Sequence, residues 1–226
     1  MKILVTGTSN GIGLATAKRF LNAGHEVIGF DLYEAKINDK NYTHYTLDIV
    51  DKEALPEIDG INVLVNNAGL QNSEDDIQNN LIGTMNVTEK YGFDRNVKAI
   101  LFNASASAHT GFEFTKYSVS KAGVIGYMKN VAWRVAKNGT ICLSISCGGV
   151  LTESNKTVIE DRKLWNEIMK VTPLKKWASE DEIAEWIYFL TVINKSATGI
   201  DIVIDNGETN CNCTFVWNGF NDKNNN

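Results

Sequence analysis

The sequence predicts an α/β fold, and three observations carry that prediction. Apolar runs such as KILVT (2–6), EVIGF (26–30), INVLV (61–65), KAILFN (98–103) and TICLSIS (140–146) read as buried strands, because they lack the alternation of a half-exposed strand. Helical stretches lie between them, LATAKRFLNAG after the first and AGVIGYMKNVAWRVA before TICLSIS. The length of 226 residues suits one domain with a full core, taken as 1–226.

Composition removes several function classes. Hydrophobic residues make up 43% and charged residues 22%, as in an ordinary globule. A net charge of −5 leaves no basic face to offset phosphates, so nucleic acid is not expected as the main partner. No apolar run approaches the roughly 20 residues that span a bilayer. MKILVTG leads straight into a strand without signal-peptide features, and a cytoplasmic location with no membrane role is expected. The cysteines at 142, 147, 211 and 213 match no common metal or redox spacing, so no metal is expected and the thiols are read as reduced.

Lys2–Thr6 is read as the first strand. Gly7, Gly11 and Gly13 follow, then a helix ending at Gly24. A strand, a glycine turn and a helix N-terminus suit a phosphate: amide N–H groups point at it and the missing side chains allow close approach. A glycine-rich turn without a ligand is the plainer alternative. The second strand ends in Asp31, twenty residues beyond Gly11, where a carboxylate can meet the adenosine ribose hydroxyls. Leu32 adjoins it, and the loop residues Ser9, Asn10 and Ile12 include no Arg or Lys to neutralise a 2′-phosphate, so NAD is favoured over NADP. Tyr42–Leu47 is read as a third strand ending in Asp48-Ile49, placed to flank the adenine. DKEALPEI (51–58) is read as a short helix, and INVLV as a buried strand leading into Asn66-Asn67-Ala68-Gly69.

The stretch 103–121, NASASAHTGFEFTKYSVSK, holds Tyr117 and Lys121 at a spacing that shares one helix face. A phenol with a pKa near about 10 becomes usable as an acid or base when an ammonium lies one turn away. An ordinary surface pair is the bland alternative. Ser105 ends the preceding strand twelve residues before Tyr117, a place from which a hydroxyl can hold a substrate oxygen. Ser107 is the alternative to it. If Ser105 has that role, Ser107 is expected to contribute little, and His109 is read as a loop residue.

Thr6-Gly7-x-x-x-Gly11-x-Gly13, Asp31, Asp48, Asn66-Asn67-Ala68-Gly69 and Tyr117-x-x-x-Lys121 occur in the order found in the short-chain dehydrogenase/reductase family, and the chain resembles that family over about residues 2–207. The resemblance implies a doubly wound parallel sheet of Rossmann type, with about seven strands and helices on both faces. It implies a nicotinamide cofactor, NAD on the Asp31 argument, bound by Gly7, Ser9, Asn10, Gly11, Ile12, Gly13, Asp31, Leu32, Asp48, Ile49, Asn67, Ala68, Gly69, Tyr117, Lys121, Gly148, Val150 and Thr152. It implies a catalytic group of Ser105, Tyr117 and Lys121 supported by Asn80, with Asn79 as the one-residue-shift alternative. The segment from Gly69 to Asn80 is shorter than is usual in the family, and Cys147 stands where a proline is usual.

The implied reaction is hydride transfer between NAD(H) and an alcohol/carbonyl pair, with a small-molecule alcohol or carbonyl substrate. The alternatives are an epimerase or dehydratase using NAD transiently, and a cofactor-binding regulatory or scaffold protein of the same fold. Residues 153–177 are read as the substrate-facing segment, with Ile159, Trp165, Ile168 and Met169 at helical spacings, and Ser179 as the cap of the next helix. Ile200–Ile204 is the last strand and 208–226 a tail carrying Phe215, Trp217 and Phe220. The family resemblance, together with the apolar helix faces at 80–91 and 117–136, implies a homotetramer, or failing that a homodimer.

Overall fold

A computed structural model describes residues 1–112 and 114–211. The tail residues Cys213, Phe215, Trp217 and Phe220 lie outside them. The chain runs β1 (Lys2–Thr6), α1 (Gly11–Asn22), β2 (Glu26–Asp31), β3 (Tyr42–Thr46) and β4 (Val63–Asn66). A π-helical turn over Gln78–Gly83 continues into α2 (Thr84–Tyr91), followed by β5 (Ala99–Asn103), the short α3 (Ser107–Thr110), the long α4 (Thr115–Val135) and β6 (Ile141–Cys147). The rest is β7 (Val150–Leu151), α5 (Lys156–Glu160), α6 (Arg162–Val171), β8 (Ala178–Ser179), α7 (Glu180–Tyr188) and β9 (Asp201–Ile204).

Seven of these strands form one parallel sheet in the order β3-β2-β1-β4-β5-β6-β9. The predicted doubly wound sheet is therefore present. Its central strands are apolar on both faces because both faces are covered. Leu4, Ile28, Leu64, Ile100 and Phe102 pack under Val87 of α2 and Val124, Met128 and Val131 of α4. Ile3, Val5, Val65, Leu101 and Ile145 pack under Ala17 and Phe20 of α1 and Ile183 and Ile187 of α7. Ser179 caps α7 as expected, in a reciprocal box with Glu182.

Three expectations need correction. The helix expected over 51–58 is only a 3-10 turn, Lys52–Ala54. Pro56 disfavours the helical region for Leu55, whose backbone is extended (φ −71°, ψ 117°). The strand expected from Ile61 starts at Val63, because the Asn62 side chain takes the Lys2 amide in place of a ladder carbonyl. His109 lies in α3 and not in a loop.

Candidate functional site

The strand order reverses between β1 and β4, and the crevice beyond their carboxyl ends is where such sheets take ligands. Thr6 and Asn67 sew the two strand ends together. Thr6 Oγ1 accepts from the amides of Asn67 and Ala68, each at 2.9 Å, and Asn67 Nδ2 donates to Thr6 O at 3.0 Å. The glycine turn fits against this seam only without side chains. A Cβ on Gly7 would lie 2.9 Å from Asn67 Nδ2, and one on Gly13 only 1.9 Å from the Gly7 carbonyl. Gly7 and Gly11 also have positive φ, +77° and +56°. Asn10 opens α1 with no side-chain cap and no acid follows in the first turn, so the amides of Gly11, Ile12 and Gly13 are left for an outside acceptor.

Asp31, at the end of β2, accepts from the Ser9 amide at 2.8 Å and the Tyr33 amide at 3.0 Å, which holds its carboxylate beside the glycine turn. Ser9 Oγ donates to the carbonyls of Tyr33 and Glu34, folding the following loop over the turn. Leu32 is exposed in that loop. Asp48 is exposed and accepts from the Val50 amide at 2.9 Å, an Asx turn. The Ile49 side chain packs in the core against Gly83, and its carbonyl accepts from Asn86 Nδ2 at 3.2 Å.

Across the crevice, β7 pairs with β8 and closes the segment 152–177 at its base. A Cβ on Gly11 would lie 3.7 Å from Thr152 Cγ2 and 3.8 Å from Glu180 Oε1, so Thr152 stands over the glycine turn from the far end of the sequence. Gly148 packs on Asp205 and Gly149 on the Trp177 indole, where a Cβ would come within 2.0 Å. The Val150 carbonyl accepts from the Thr152 amide and from Asn155 Nδ2, both at 2.9 Å, which fixes the loop that proline does not stiffen here. Above it Trp165 meets Trp177 edge-on at 5.1 Å, and no residue of α6 is fully buried.

Ser105, Tyr117, Lys121 and Asn80 come from three elements. The β5–β6 pairing continues past Asn103, with Ala104 N donating to Ile145 O at 2.7 Å and Ala106 N to Cys147 O at 2.8 Å, so Ser105 sits on rigid backbone. Tyr117, half-buried, and Lys121, 5% exposed, lie one turn apart on α4, with Lys121 Nζ 5.6 Å from the phenol ring centroid. Nζ donates to the Asn103 carbonyl at 2.8 Å. A Cβ on Gly69 would lie 3.3 Å from that Nζ and 3.1 Å from Asn80 Oδ1, so Gly69 is the floor beneath both groups.

Of Asn79 and Asn80, it is Asn80 whose side chain meets Leu70 beside Gly69. Asn80 accepts from the Leu70 amide at 2.7 Å and donates to the Leu70 carbonyl at 2.8 Å and to Ser120 Oγ at 3.1 Å. Its helix is π-wound there, a distortion common at functional sites.

Burial pushes the Lys121 ammonium down to about 8, opposed by Cys147 and Asp76. The Cys147 thiol is itself pushed up to about 12 by burial, so it is neutral where Lys121 titrates. That leaves Asp76, 1% exposed and one turn before Asn80, as the charge that favours the ammonium.

A family model described as enoyl-(acyl carrier protein) reductase matches residues 7–209. The chain belongs to the short-chain dehydrogenase/reductase family. It is 31% identical to the Escherichia coli (strain K12) 2,3-dihydro-2,3-dihydroxybenzoate dehydrogenase over 241 residues, covering 92% of this chain and 96% of that one. It superimposes on 4-hydroxyisoleucine dehydrogenase complexed with NADH with a TM-score of 0.82 and 25% identity, over 92% of this chain and 98% of that one. An Agrobacterium tumefaciens protein with bound NADP shares the fold, with a TM-score of 0.82 and 24% identity over 92% of this chain and 95% of that one.

Within this family frame, several residues with little local signal in the sequence stand at the site. Lys36 Nζ donates to Asn10 Oδ1, bringing a cation to a glycine turn whose own residues include none. Thr8 Oγ1, Tyr42 OH and His44 form a chain (2.8 and 2.8 Å) ending at the Tyr33 carbonyl, possible because Gly29 has no side chain in the way. Asn103 joins both halves of the site: its Nδ2 donates to Asn67 Oδ1 at 2.9 Å while its carbonyl receives Lys121. The only signal for Asn103 was its place at a strand end. Among the described residues no cluster of His, Cys, Asp or Glu is arranged to hold a metal, and no helix is long and apolar enough to cross a membrane.

Proposed function

We propose that this chain is an NAD(H)-dependent oxidoreductase that interconverts an alcohol and a ketone or aldehyde. The observation that carries the reading is the Lys121 ammonium, buried between the Asn103 carbonyl and Gly69 and one helical turn from Tyr117. A charge kept in so dry a place has no role in packing, and its field favours a phenolate beside it. Tyr117 then gives the proton to the substrate oxygen in reduction and takes it in oxidation. Ser105 donates to that oxygen, where negative charge develops. Asn80 holds the Leu70 backbone that walls the site beside Lys121.

The residues fit a nicotinamide dinucleotide. The side-chain-free turn at Gly7–Gly13 and the open amides of α1 suit its diphosphate, Asp31 its adenosine ribose, Lys121 its second ribose, and Val150 and Thr152 its carboxamide. When bound, the nicotinamide supplies or takes the hydride. Cys142, Cys147 and Cys211 are free thiols, which suits a reducing cytoplasm.

The test is a panel of aldehydes and ketones offered with NADH, read by NADH absorbance. Consumption with at least one carbonyl is expected. Binding of NADH without consumption of NADH or NADPH by any of them would favour the scaffold alternative.

A further inference from the structure

We propose that Ser107 is a positioning residue that fixes Ser105 as a hydrogen-bond donor to the substrate oxygen; the proposal rests on the oxidoreductase reading above. Ser105 Oγ accepts two hydrogen bonds, from the Ser107 amide at 3.2 Å and from Ser107 Oγ at 3.0 Å. A hydroxyl has two acceptor lone pairs and one proton. With both lone pairs engaged by Ser107, the remaining tetrahedral direction carries the Ser105 proton, and no described residue accepts it. The hydroxyl is therefore set to donate outward, into the crevice at the end of β5. An unconstrained serine rotor can turn its proton toward a neighbour and present a lone pair to the substrate, which repels a carbonyl oxygen and a developing alkoxide alike. Both serines are 8% exposed, so little water competes for these positions.

Ser107 can act this way because its helix is held independently of Ser105. His109 Nε2 donates to Asp201 Oδ2 at 2.7 Å, and the other oxygen of that buried carboxylate accepts from Ser144 Oγ. The Ala106 amide is bound to the Cys147 carbonyl on the opposite side. Thus α3 is seated on both β6 and β9, and removing the Ser107 hydroxyl deletes one contact to Ser105 without releasing the helix. On the sequence alone Ser107 is merely the alternative serine. The structure makes the two serines one unit, with Ser105 facing the substrate and Ser107 behind it.

The experiment is a double-mutant cycle in the full chain. It reads kcat and KM for the best carbonyl of the panel, and NADH affinity by fluorescence titration. Ser107→Ala should lower kcat about tenfold, less than the loss of a whole oxyanion donor, with NADH affinity unchanged. Ser107→Thr, which keeps the hydroxyl, should restore most of it. In a Ser105→Ala background the same Ser107→Ala change should have no further effect, because Ser107 acts only through Ser105. An undiminished effect in that background, or wild-type kcat in Ser107→Ala, overturns the proposal.

Neutron diffraction from the perdeuterated, cofactor-free protein reads the same point without turnover. A deuteron on Ser107 Oγ directed at Ser105 supports the proposal, and one on Ser105 directed at Ser107 overturns it. If no carbonyl consumes NADH or NADPH, it is the oxidoreductase reading that has failed, and the neutron map still decides the roles within the serine pair.

Discussion

Lys121 Nζ donates to the main-chain carbonyl of Asn103 at 2.8 Å, so the buried charge on α4 is tied to the last residue of β5. The bond offsets only part of the cost of burial, which pushes the ammonium from 10.5 down to about 8. A lysine with a folded pKa below its unfolded value is a burden while it is charged. The burden is complete below about pH 8, fades between about 8 and 10.5 as the folded state gives up its proton first, and is gone above that.

Lys121→Met should therefore stabilise the cofactor-free protein at pH 7. After allowing for the lost hydrogen bond, the gain is about 2 kcal/mol. It should shrink steadily as pH rises to 10. Denaturant unfolding of both proteins at the two pH values reads this, and a gap independent of pH would refute it. The same variant should lose turnover and NADH affinity, a trade of stability against activity expected where a strained group serves function.

On the proposed function, cofactor choice should depend on two residues of opposite charge. Asp31, held by the Ser9 and Tyr33 amides, should favour free ribose hydroxyls and repel a 2′-phosphate, while Lys36 reaches the same turn through Asn10. NADH should be preferred over NADPH by at least roughly tenfold in kcat/KM, about 1.4 kcal/mol. Asp31→Ser should narrow that gap. Lys36→Ala should widen it by weakening NADPH alone. Equal use of both cofactors by the wild type would sink the argument from Asp31.

How far the sequence reached depended on whether a contact was local. Strand, glycine turn and helix follow one another within residues 2–22, and Tyr117 and Lys121 share one helix, so their placement was legible from spacing. Pro56 could have warned against a helix over 51–58, since its effect on Leu55 is also local. The contact of Asn80 with the Leu70 backbone was not legible, because it depends on how a shortened loop turns. Lys36 carries no local signal, because it reaches the glycine turn from the folded-over loop after β2 and not from within the turn. His109 finds Asp201 across ninety-two residues, a pairing set by the order of strands in the sheet and by no local pattern.

Assembly should follow from apolar surface that the described residues leave uncovered. Trp133 on α4 is 82% exposed, and Trp186, Phe189 and Ile193 are exposed along α7 and the turn after it. The latter group lies on the sheet face that α1 and α7 cover, opposite the face that α4 covers. Two separate patches of this kind suit two two-fold interfaces, hence a homotetramer, or failing that a dimer. Light scattering at micromolar concentration should show it, and Trp133→Glu should reduce the assembly by one step. A monomeric wild type would count against the whole proposal.

Tyr117→Phe should abolish turnover while leaving NADH binding nearly intact. The ring remains, so packing on α4 and the 5.6 Å approach of Lys121 to it are preserved, but the hydroxyl proposed to move the proton is gone. General acid–base transfer contributes about 10²–10⁴-fold, and the same hydroxyl also bonds the developing alkoxide, so the loss should reach the upper end. Ser105→Ala should spare NADH affinity and cut kcat, and Lys121→Met should cost both. The comparison sets steady-state rates with the best carbonyl of the panel beside NADH fluorescence titrations for each variant. A Tyr117→Phe enzyme that keeps more than about a tenth of the wild-type kcat lies outside what loss of the general acid allows. The proton would then come from another group, and the assignment of Tyr117 would be wrong even if Lys121 and the cofactor site were right.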